Sequence, residues 1–221
     1  MSTRTEIVLV HGLWYGPLAM AVLAGRLRKA GFEVRKFGYP ATSFQAMEHA
    51  RRLLQFVAKG SAGQTHFVGH SLGGLVIAKA LELNAGSSAG DLPQLDHCRA
   101  VLLGTPLRGS SVVRRALKLP GGQSLFREAA EDLSRGQPQL PANRRIGLIA
   151  GSRSWGLGRL LGQPANGSDG TVALSETESP GLADRLVLPV SHTGMLFSAE
   201  VARQTVFFLQ SGHFPGAGIE T

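Results

Sequence analysis

A serine set between glycines is the first feature of this sequence that suggests chemistry. In the stretch HFVGHSLGGLVIAKA (66–80), Gly69, Ser71 and Gly73 form a G-x-S-x-G pattern, and Gly74 follows directly. The apolar residues before the serine predict a short buried strand, and those after it predict a helix. A tight strand-to-helix turn holds a serine in a strained conformation, with its hydroxyl above the sheet at the helix N-terminus. The pattern therefore predicts that Ser71 is a nucleophile.

A serine hydroxyl becomes an effective nucleophile only beside a general base, which in turn needs an acid to orient it. Of the seven histidines, His192 is the candidate base because it ends the last apolar run, LVLPVSH (186–192). His70 is the direct neighbour of Ser71 in an extended chain, so its side chain is expected to point away from the hydroxyl. A histidine that caps the following segment is the competing interpretation of His192.

The acid is expected between the serine and the histidine in the chain. Asp169 lies in the Gly-rich stretch NGSDGTV (166–172), after the fifth strand-like run, and is the preferred candidate. Asp184 begins the next run and belongs at the opposite edge of the sheet, whereas Glu176 and Glu178 follow a short strand-like segment. An ordinary Asp-Gly turn is the competing interpretation of Asp169.

A nucleophilic serine also needs fixed hydrogen-bond donors for the negative oxygen that develops during attack. The N–H of Leu72 is one candidate, because this residue opens the helix after Ser71. The second is expected from the stretch HGLW (11–14), where Gly12 lets the chain turn and the N–H of Leu13 faces the site. A plain strand-ending turn is the alternative interpretation of this stretch.

These residues lie at the ends of short apolar runs, which alternate along the chain with helix-like segments. Such runs are typical of strands buried on both faces, and ligands of such sheets bind at the carboxyl ends of the strands. The sequence thus predicts an α/β fold with a mostly parallel sheet of about six strands and helices on both faces. The predicted strands are 6–12, 33–40, 65–71, 98–106, 144–152 and 184–192, and the predicted helices are 17–32, 43–60, 72–84 and 198–212.

Two stretches interrupt this alternation. Residues 107–143 form a long insertion with helical pieces, including QSLFREAAEDLSRG (123–136), and residues 155–181 are rich in Gly, Ser and Pro. Connections of this length usually carry function, although a crossover helix with irregular ends is the simpler interpretation of the first. Because the sequence has no repeats and no linker, we expect a single domain over residues 1–221.

The composition agrees with a globular domain, since 43% of the 221 residues are hydrophobic and only 17% are charged. The formal net charge is +8, and residues 107–145 hold eight basic residues against three acidic ones. Without a nucleic-acid-binding motif and with few aromatic residues, a nucleic acid partner is not expected. We interpret the basic segment as a solvated face, with transient attraction to anionic substrates or a membrane surface as the functional alternative.

The single cysteine, Cys98, excludes an intrachain disulfide and a cysteine-based metal cluster. It lies in the apolar run CRAVLLG, so we expect a small buried side chain. The N-terminal residues enter a strand without a signal-peptide pattern, and no apolar run is long enough to span a membrane. The expectation is a cytoplasmic protein without a metal or cofactor.

Five stretches resemble, in this order, the motifs of α/β-hydrolases and in particular of bacterial lipases and esterases: VLVHGLW, VGHSLGG, LLGTPLRGS, GSDGTV and VSHTGML. The similarity spans nearly the whole chain. It implies that Ser71 is the nucleophile, Asp169 the acid and His192 the base, with Leu13 and Leu72 as the oxyanion donors. Almost no sequence precedes the HG motif, which implies an α/β-hydrolase fold trimmed at its N-terminus.

The resemblance also implies a serine hydrolase that cleaves small-molecule or lipid acyl esters through an acyl-enzyme, with residues 107–143 in the place of the family's lid or cap. Acyl transfer or thioester hydrolysis by the same three residues is one alternative, and a non-catalytic binding module that keeps the fold is another. Apolar residues beside the motifs are candidates for the acyl pocket, although each also fits core packing: Trp14, Tyr15, Leu107, Met195 and Leu196.

Overall fold

A computed structural model of the protein describes residues 5–43, 45–60, 63–86, 92–137, 139–142, 144–154 and 167–215. In these ranges six strands form one parallel sheet in the order β2-β1-β3-β4-β5-β6. Because the strands run in the same direction, their carboxyl ends share one edge of the sheet. The strands are β1 (Glu6–Val10), β2 (Glu33–Phe37), β3 (Thr65–His70), β4 (Arg99–Leu103), β5 (Arg145–Gly151) and β6 (Asp184–Leu188).

Seven α-helices lie in the described ranges, and four of them cover the two faces of the sheet. The second and third pack into one core, and the first and last pack into the other. The helices are α1 (Ala21–Lys29), α2 (Ala46–Ala58), α3 (Leu72–Ala85), α4 (Ser111–Ala116), α5 (Gly122–Phe126), α6 (Ala129–Arg135) and α7 (Ala199–Ser211), with 3-10 helices at Pro17–Met20, Leu174–Thr177 and Thr193–Leu196.

The two cores explain why the central strands are apolar without alternation. In β1, Val8 and Val10 pack into the core under α2 and α3, whereas Ile7 and Leu9 pack into the core under α1 and α7. Burial of one such side chain stabilises the fold by roughly 1.5–3 kcal/mol, so both faces of the strand contribute. The predicted α/β fold, with a parallel sheet of six strands covered on both faces, is confirmed.

The end of one strand and the start of one helix differ from the prediction, the first because of a proline and the second because of a contact distant in sequence. Strand β6 ends at Leu188, before Pro189, because proline has no N–H to donate to a neighbouring strand. His192 therefore lies in a loop rather than in the strand. Helix α2 begins at Ala46 rather than at Ser43, and the Ala46 N–H donates to Asp132 Oδ2 (2.7 Å) from the insertion.

The insertion (residues 107–143) contains helices α4, α5 and α6. The helical stretch predicted for 123–136 is divided at Arg127, whose φ is 52°. Its described residues are tied to the rest of the protein at several points. Among them, Glu176 Oε1 accepts from the Ser111 N–H at the start of α4 (2.5 Å), and the Glu128 N–H donates to the Thr42 carbonyl (3.3 Å).

Other expectations concern single features of the chain. Cys98 is buried, as expected, and burial raises the pKa of its thiol to about 12. No helix in the described ranges is both long and apolar enough to cross a bilayer. Of the Gly-rich stretch at 155–181, residues 155–166 lie outside the described residues.

Candidate active site

Ser71 lies at the turn between β3 and α3 in a conformation that few non-glycine residues adopt, with φ 53° and ψ −121°. Such a conformation costs about 1–3 kcal/mol and persists only where its surroundings hold it. The Ser71 N–H donates to the Leu103 carbonyl (2.8 Å), and the Thr105 hydroxyl donates to the Ser71 carbonyl (3.1 Å). The turn is therefore held from β4 and from the segment that follows it.

Glycines around Ser71 let α3 approach the sheet closely. A Cβ at Gly73 would overlap the carbonyl oxygens of Val10 and His11, and a Cβ at Gly74 would overlap the Thr105 hydroxyl. These neighbours are backbone atoms or a buried side chain, so they have little room to move. The glycines in the motif are therefore required by packing as well as by the turn.

Asp169 and His192 form a buried pair beside this turn. The His192 Nδ1 lies 2.7 Å from Asp169 Oδ2, and the His192 backbone N–H donates to the Asp169 carbonyl (2.9 Å). Because a carboxylate only accepts hydrogen bonds, the neutral ring carries its proton on Nδ1 and presents Nε2 as an acceptor. Asp169 thus fixes both the tautomer and the backbone position of His192.

The Asp169 carboxylate is itself held by the loop that carries it. Its Oδ1 accepts from the backbone N–H groups of Thr171 (2.9 Å) and Val172 (2.7 Å), which leaves Oδ2 for His192. The side chain is 1% exposed. A carboxylate with this many donors keeps one orientation, so the histidine partner is oriented in turn.

Ser71 and His192 open onto one cavity of about 550 Å³, and Asp169 lies behind His192. Within the described part of the chain, the Ser71 hydroxyl makes no hydrogen bond to the His192 ring, although both residues line the same wall. Hydrogen bonds between a nucleophile and its base commonly tighten only when substrate binds. The structure therefore brings the three side chains to one edge of the sheet, with the contact between Asp169 and His192 already formed.

The two backbone N–H groups that the sequence suggested as donors, those of Leu13 and Leu72, lie in segments beside Ser71. Leu72 opens α3, so its N–H has no partner within the helix. The Leu13 N–H donates to no acceptor among the described residues, and Leu13 lines the cavity. Trp14, next to it, has a φ of 58°, which turns the chain sharply after β1. Both groups lie in the segments that flank Ser71.

His11, in the same HG stretch, has a structural part in this turn. Its Nδ1 donates to the Gly12 carbonyl (2.9 Å), and its Nε2 accepts from the Tyr39 N–H (3.4 Å). The ring stacks on Tyr39, with centroids 4.4 Å apart. Burial lowers the pKa of His11, so the ring stays neutral and holds the segment that precedes Leu13.

The cavity wall is apolar, and more than half of its residues come from the insertion. Trp14 and Tyr15 line it, as the sequence suggested. Leu107, Met195 and Leu196 do not, because each is fully buried in one of the two cores. The residues that the insertion contributes are Ser110, Val112, Val113, Ala116, Leu119, Pro120, Gly121, Gly122, Leu125, Phe126 and Leu133.

Large apolar side chains are exposed around the cavity. Trp14 is 52% exposed, Leu119 54% and Leu125 53%. The Trp14 Nε1–H donates to the Leu125 carbonyl (3.4 Å), and its ring lies 5.3 Å from that of Phe126. We call Trp14, Leu119 and Leu125 the apolar rim. It joins the first loop of the chain to α5.

The remaining acidic residues considered from the sequence have other partners. Glu176 accepts from the Ala173 N–H (2.9 Å) as well as from α4, and Asp184 accepts from the Phe214 N–H (2.7 Å) at the opposite edge of the sheet. Glu178 is exposed and pairs with Arg108 (3.1 Å). In the described residues, no group of three His, Cys, Asp or Glu side chains is arranged to hold a metal ion.

His70 is a site residue that the sequence reasoning did not place there. Its Nε2 lies 3.0 Å from the His192 carbonyl oxygen, and the two rings are 4.6 Å apart between centroids. Its position directly before Ser71 was the available signal, but strand alternation suggested a side chain turned away from the site.

Known structures with the same architecture are distant in sequence. The chain is 17% identical to the Bacillus licheniformis lipase BlEst2 in its mature form (TM-score 0.67), with 96% of this chain and 93% of that one covered. It is 17% identical to the metagenomic carboxyl esterase MGS0156 (TM-score 0.67; 96% and 76% covered). It is 18% identical to tomato Methylketone Synthase I (TM-score 0.58; 94% and 97% covered). At these identities the likeness concerns the fold alone.

Sequence comparison gives a clearer assignment. No curated protein matches the chain. The model of the Alpha/beta hydrolase family matches residues 7–217, which is nearly its whole length. Together with the parallel sheet and the strained turn at Ser71, this match establishes that the chain belongs to the alpha/beta hydrolase family.

Proposed function

We propose that the protein is a serine hydrolase that cleaves carboxylic esters through an acyl-enzyme. The observation that carries this proposal is the convergence of the strained Ser71 turn and the Asp169–His192 pair on one apolar cavity. Two hydrogen bonds join Asp169 to His192, and Ser71 beside them has a strained backbone. Strain and buried ionisable pairs lower the stability of a fold, and they are common at catalytic sites.

In the first half of the reaction, the Ser71 hydroxyl attacks the acyl carbon of the ester. His192 Nε2 takes the hydroxyl proton as the Oγ–C bond forms, and Asp169 stabilises the resulting imidazolium. The N–H groups of Leu13 and Leu72 hold the negative oxygen of the tetrahedral intermediate. When the intermediate collapses, His192 returns the proton to the leaving alkoxide, and the alcohol departs.

In the second half, water repeats these steps on the acyl-enzyme. His192 removes a proton from water as its oxygen attacks the acyl carbon, and the bond to Ser71 Oγ then breaks. The proton passes from His192 to Ser71, and the carboxylic acid leaves. The chain's own residues supply each group that these steps need.

The cavity favours substrates with an apolar acyl group. Among the described residues, its walls, which include Val112, Val113 and Phe126, carry no Asp, Glu, Lys or Arg side chain, and the insertion that lines most of the cavity would serve as its cap. An acyl chain in such a wall gains about 0.8 kcal/mol for each methylene that it buries. The names of two similar structures, a lipase and a carboxyl esterase, agree with an ester substrate.

The rim of the cavity supports a second part of the proposal, which is transient contact with a lipid surface. The apolar rim is exposed, and Lys118 and Arg127, both exposed, bracket the segment that holds Leu119 and Leu125. Apolar side chains flanked by cations favour an anionic lipid–water interface. Lipid acyl esters at such an interface would then have direct access to the cavity.

The test of the proposed reaction is Ser71→Ala in assays with p-nitrophenyl esters of graded acyl length. We expect the wild type to turn over these esters and to react with a fluorophosphonate probe. Ser71→Ala should lose the probe reaction and lower kcat by about 10⁴-fold or more, because the bond-forming oxygen is absent. Ser110→Ala, which removes another hydroxyl from the cavity wall, is the control and should keep probe labelling.

The same assay separates the alternatives. Retained hydrolysis in Ser71→Ala would contradict the assignment of the nucleophile. Acyl transfer would give new esters when an alcohol is added, and thioester hydrolysis would give faster turnover of acyl thioesters than of esters. Absence of both probe labelling and turnover in the wild type would favour a non-catalytic binding module.

A further inference from the structure

His70 joins the strand that carries Ser71 to the loop that carries His192. Its ring is fully buried, and Nε2 lies 3.0 Å from the His192 carbonyl oxygen. Because a carbonyl oxygen only accepts, Nε2 must carry the proton and donate it. One hydrogen bond therefore connects the residue directly before Ser71 to the backbone of His192.

Ring contacts reinforce this connection. The His70 ring lies 4.6 Å from the His192 ring and 5.5 Å from the Tyr15 ring, which meets it edge-on. Tyr15 is in turn hydrogen-bonded through its hydroxyl to the Thr193 hydroxyl (2.7 Å). His70 thus packs between the first loop of the chain and the segment at His192.

The other ring nitrogen of His70 argues against a role in core packing alone. With Nε2 protonated, Nδ1 is a buried acceptor that has no hydrogen-bond partner among the described residues. The Gly12 backbone lies against it, since a Cβ at Gly12 would be 3.0 Å from Nδ1. An unsatisfied buried acceptor of this kind destabilises a fold, and an apolar side chain here would avoid that cost.

We propose that His70 is a positioning residue that sets the separation between the Ser71 hydroxyl and the His192 imidazole. The inference rests on the function proposed above. Asp169 orients the His192 ring, but its described hydrogen bonds go to its own loop and to His192, not to β3. Among the described residues, the bond from His70 ties the strand that precedes Ser71 directly to His192.

A neutral His70 ring is compatible with this positioning role. Burial, and then the neighbouring His192, lower the pKa of His70 to about 3. The ring therefore stays neutral and adds no positive charge beside the imidazolium that forms on His192 during the reaction. A lysine or arginine in the same place would disfavour that imidazolium.

Two variants of His70 and one control test the proposal. His70→Met removes the donor but keeps an apolar side chain, and His70→Gln places an amide N–H at a similar distance from the backbone. The control is His66→Met on the same strand. His66 is also buried, and its Nδ1 accepts from the Arg99 N–H (3.1 Å), but it does not line the cavity.

The expected result is a loss of turnover that depends on the donor. His70→Met should lower kcat for a p-nitrophenyl ester by about 10–100-fold, because small displacements of a base from its nucleophile are costly. KM should change by no more than about twofold, since His70 itself is not among the residues that line the cavity. His70→Gln should recover kcat to within about threefold of the wild type, and His66→Met should keep kcat even where it lowers the melting temperature.

Equal kcat in His70→Met and His66→Met would overturn the inference. A readout independent of turnover distinguishes this from failure of the proposed function. In NMR spectra of the imidazole nitrogens, assigned with His192→Asn, the Nδ1–H signal of His192 should shift or broaden in His70→Met and stay unchanged in His66→Met. An unchanged His192 signal in His70→Met would refute the positioning role, whether or not the wild type hydrolyses esters.

Discussion

Gly104 shows at the scale of one residue how closely the backbone approaches Asp169 and His192. It follows β4 with a φ of 55°, and a Cβ there would lie 2.9 Å from Asp169 Oδ2 and 3.0 Å from His192 Nδ1. A side chain would therefore press on the hydrogen bond between these two atoms. Glycine is required here for contact as well as for backbone conformation.

We predict that Gly104→Ala lowers activity by displacing the pair. The control is Gly31→Ala, because Gly31 also has a positive φ (93°) but would place its Cβ in open space. Each variant should lose roughly 1 kcal/mol of unfolding free energy from backbone strain, measured by urea denaturation. Gly104→Ala alone should also lower kcat by about 10–100-fold. Wild-type kcat in Gly104→Ala would contradict the crowding argument.

The sequence marked the residues that the structure brings to one edge of the sheet, because their types and order carry the information. Ser71 is marked by the glycines around it, and His192 by its place at the end of the last apolar run. The contact of His70 with His192 was not predictable in this way, because the positive φ at Ser71 ends the regular alternation of the strand. Met195 and Leu196 follow a motif residue in the chain, yet their 3-10 helix turns them into the core.

At the scale of elements, one buried carboxylate connects the insertion to the Asp169 loop. Glu176 Oε1 accepts from the Ser111 N–H at the start of α4, and Oε2 accepts from the Ala173 N–H (2.9 Å). Both oxygens are acceptors, and the side chain is buried. A shift of the insertion would therefore move the loop that contains Asp169.

We predict that Glu176→Gln weakens this connection. The glutamine amide has only one acceptor oxygen, so it can accept from only one of the Ser111 and Ala173 N–H groups. Its NH₂ group would face the other N–H, which would then lack an acceptor. Unfolding free energy should fall by about 1–3 kcal/mol, and hydrogen exchange should quicken at the amides of α4. Glu178→Gln is the control, because its exposed pair with Arg108 contributes no more than about 1 kcal/mol. Equal effects of the two variants would contradict the coupling.

The elements themselves were predictable to different degrees. The four central strands β1, β3, β4 and β5 follow from apolar runs that are buried along most of their length, whereas the edge strands β2 and β6 are only partly buried. The start of α2 could not be predicted from the local sequence, because the Ala46 N–H donates to Asp132, which is 86 residues away. The division between α5 and α6 at Arg127 depends on a positive φ that the helical pattern of 123–136 does not reveal.

At the scale of the whole molecule, the parallel sheet places the cavity and a basic segment of the chain at the same edge. All strands end at one edge, where Ser71 follows β3 and Gly104 follows β4. The insertion lines the cavity at that edge, and its residues 107–143 carry six basic residues against three acidic ones. An anionic surface would therefore be attracted to the side on which substrate enters.

We predict that the protein binds vesicles of phosphatidylglycerol more tightly than vesicles of phosphatidylcholine. Lys118→Gln with Arg127→Gln should lower affinity for the anionic vesicles by up to about 30-fold, because each cation near such a surface contributes about 1 kcal/mol. Leu119→Ser with Leu125→Ser should weaken binding to both kinds of vesicle, because it removes apolar area from the rim. Co-sedimentation at low and high salt measures both effects.

The control for the apolar rim is Phe207→Ser on α7. Phe207 is 37% exposed, lies four residues before Ser211 at the end of that helix, and is not part of the cavity wall. Its loss should leave vesicle binding unchanged if contact is made through the rim. Binding that falls equally in Phe207→Ser and in the rim variant would indicate non-specific adsorption of apolar surface. Binding that survives removal of Lys118 and Arg127 at low salt would show that charge on the insertion does not direct the contact.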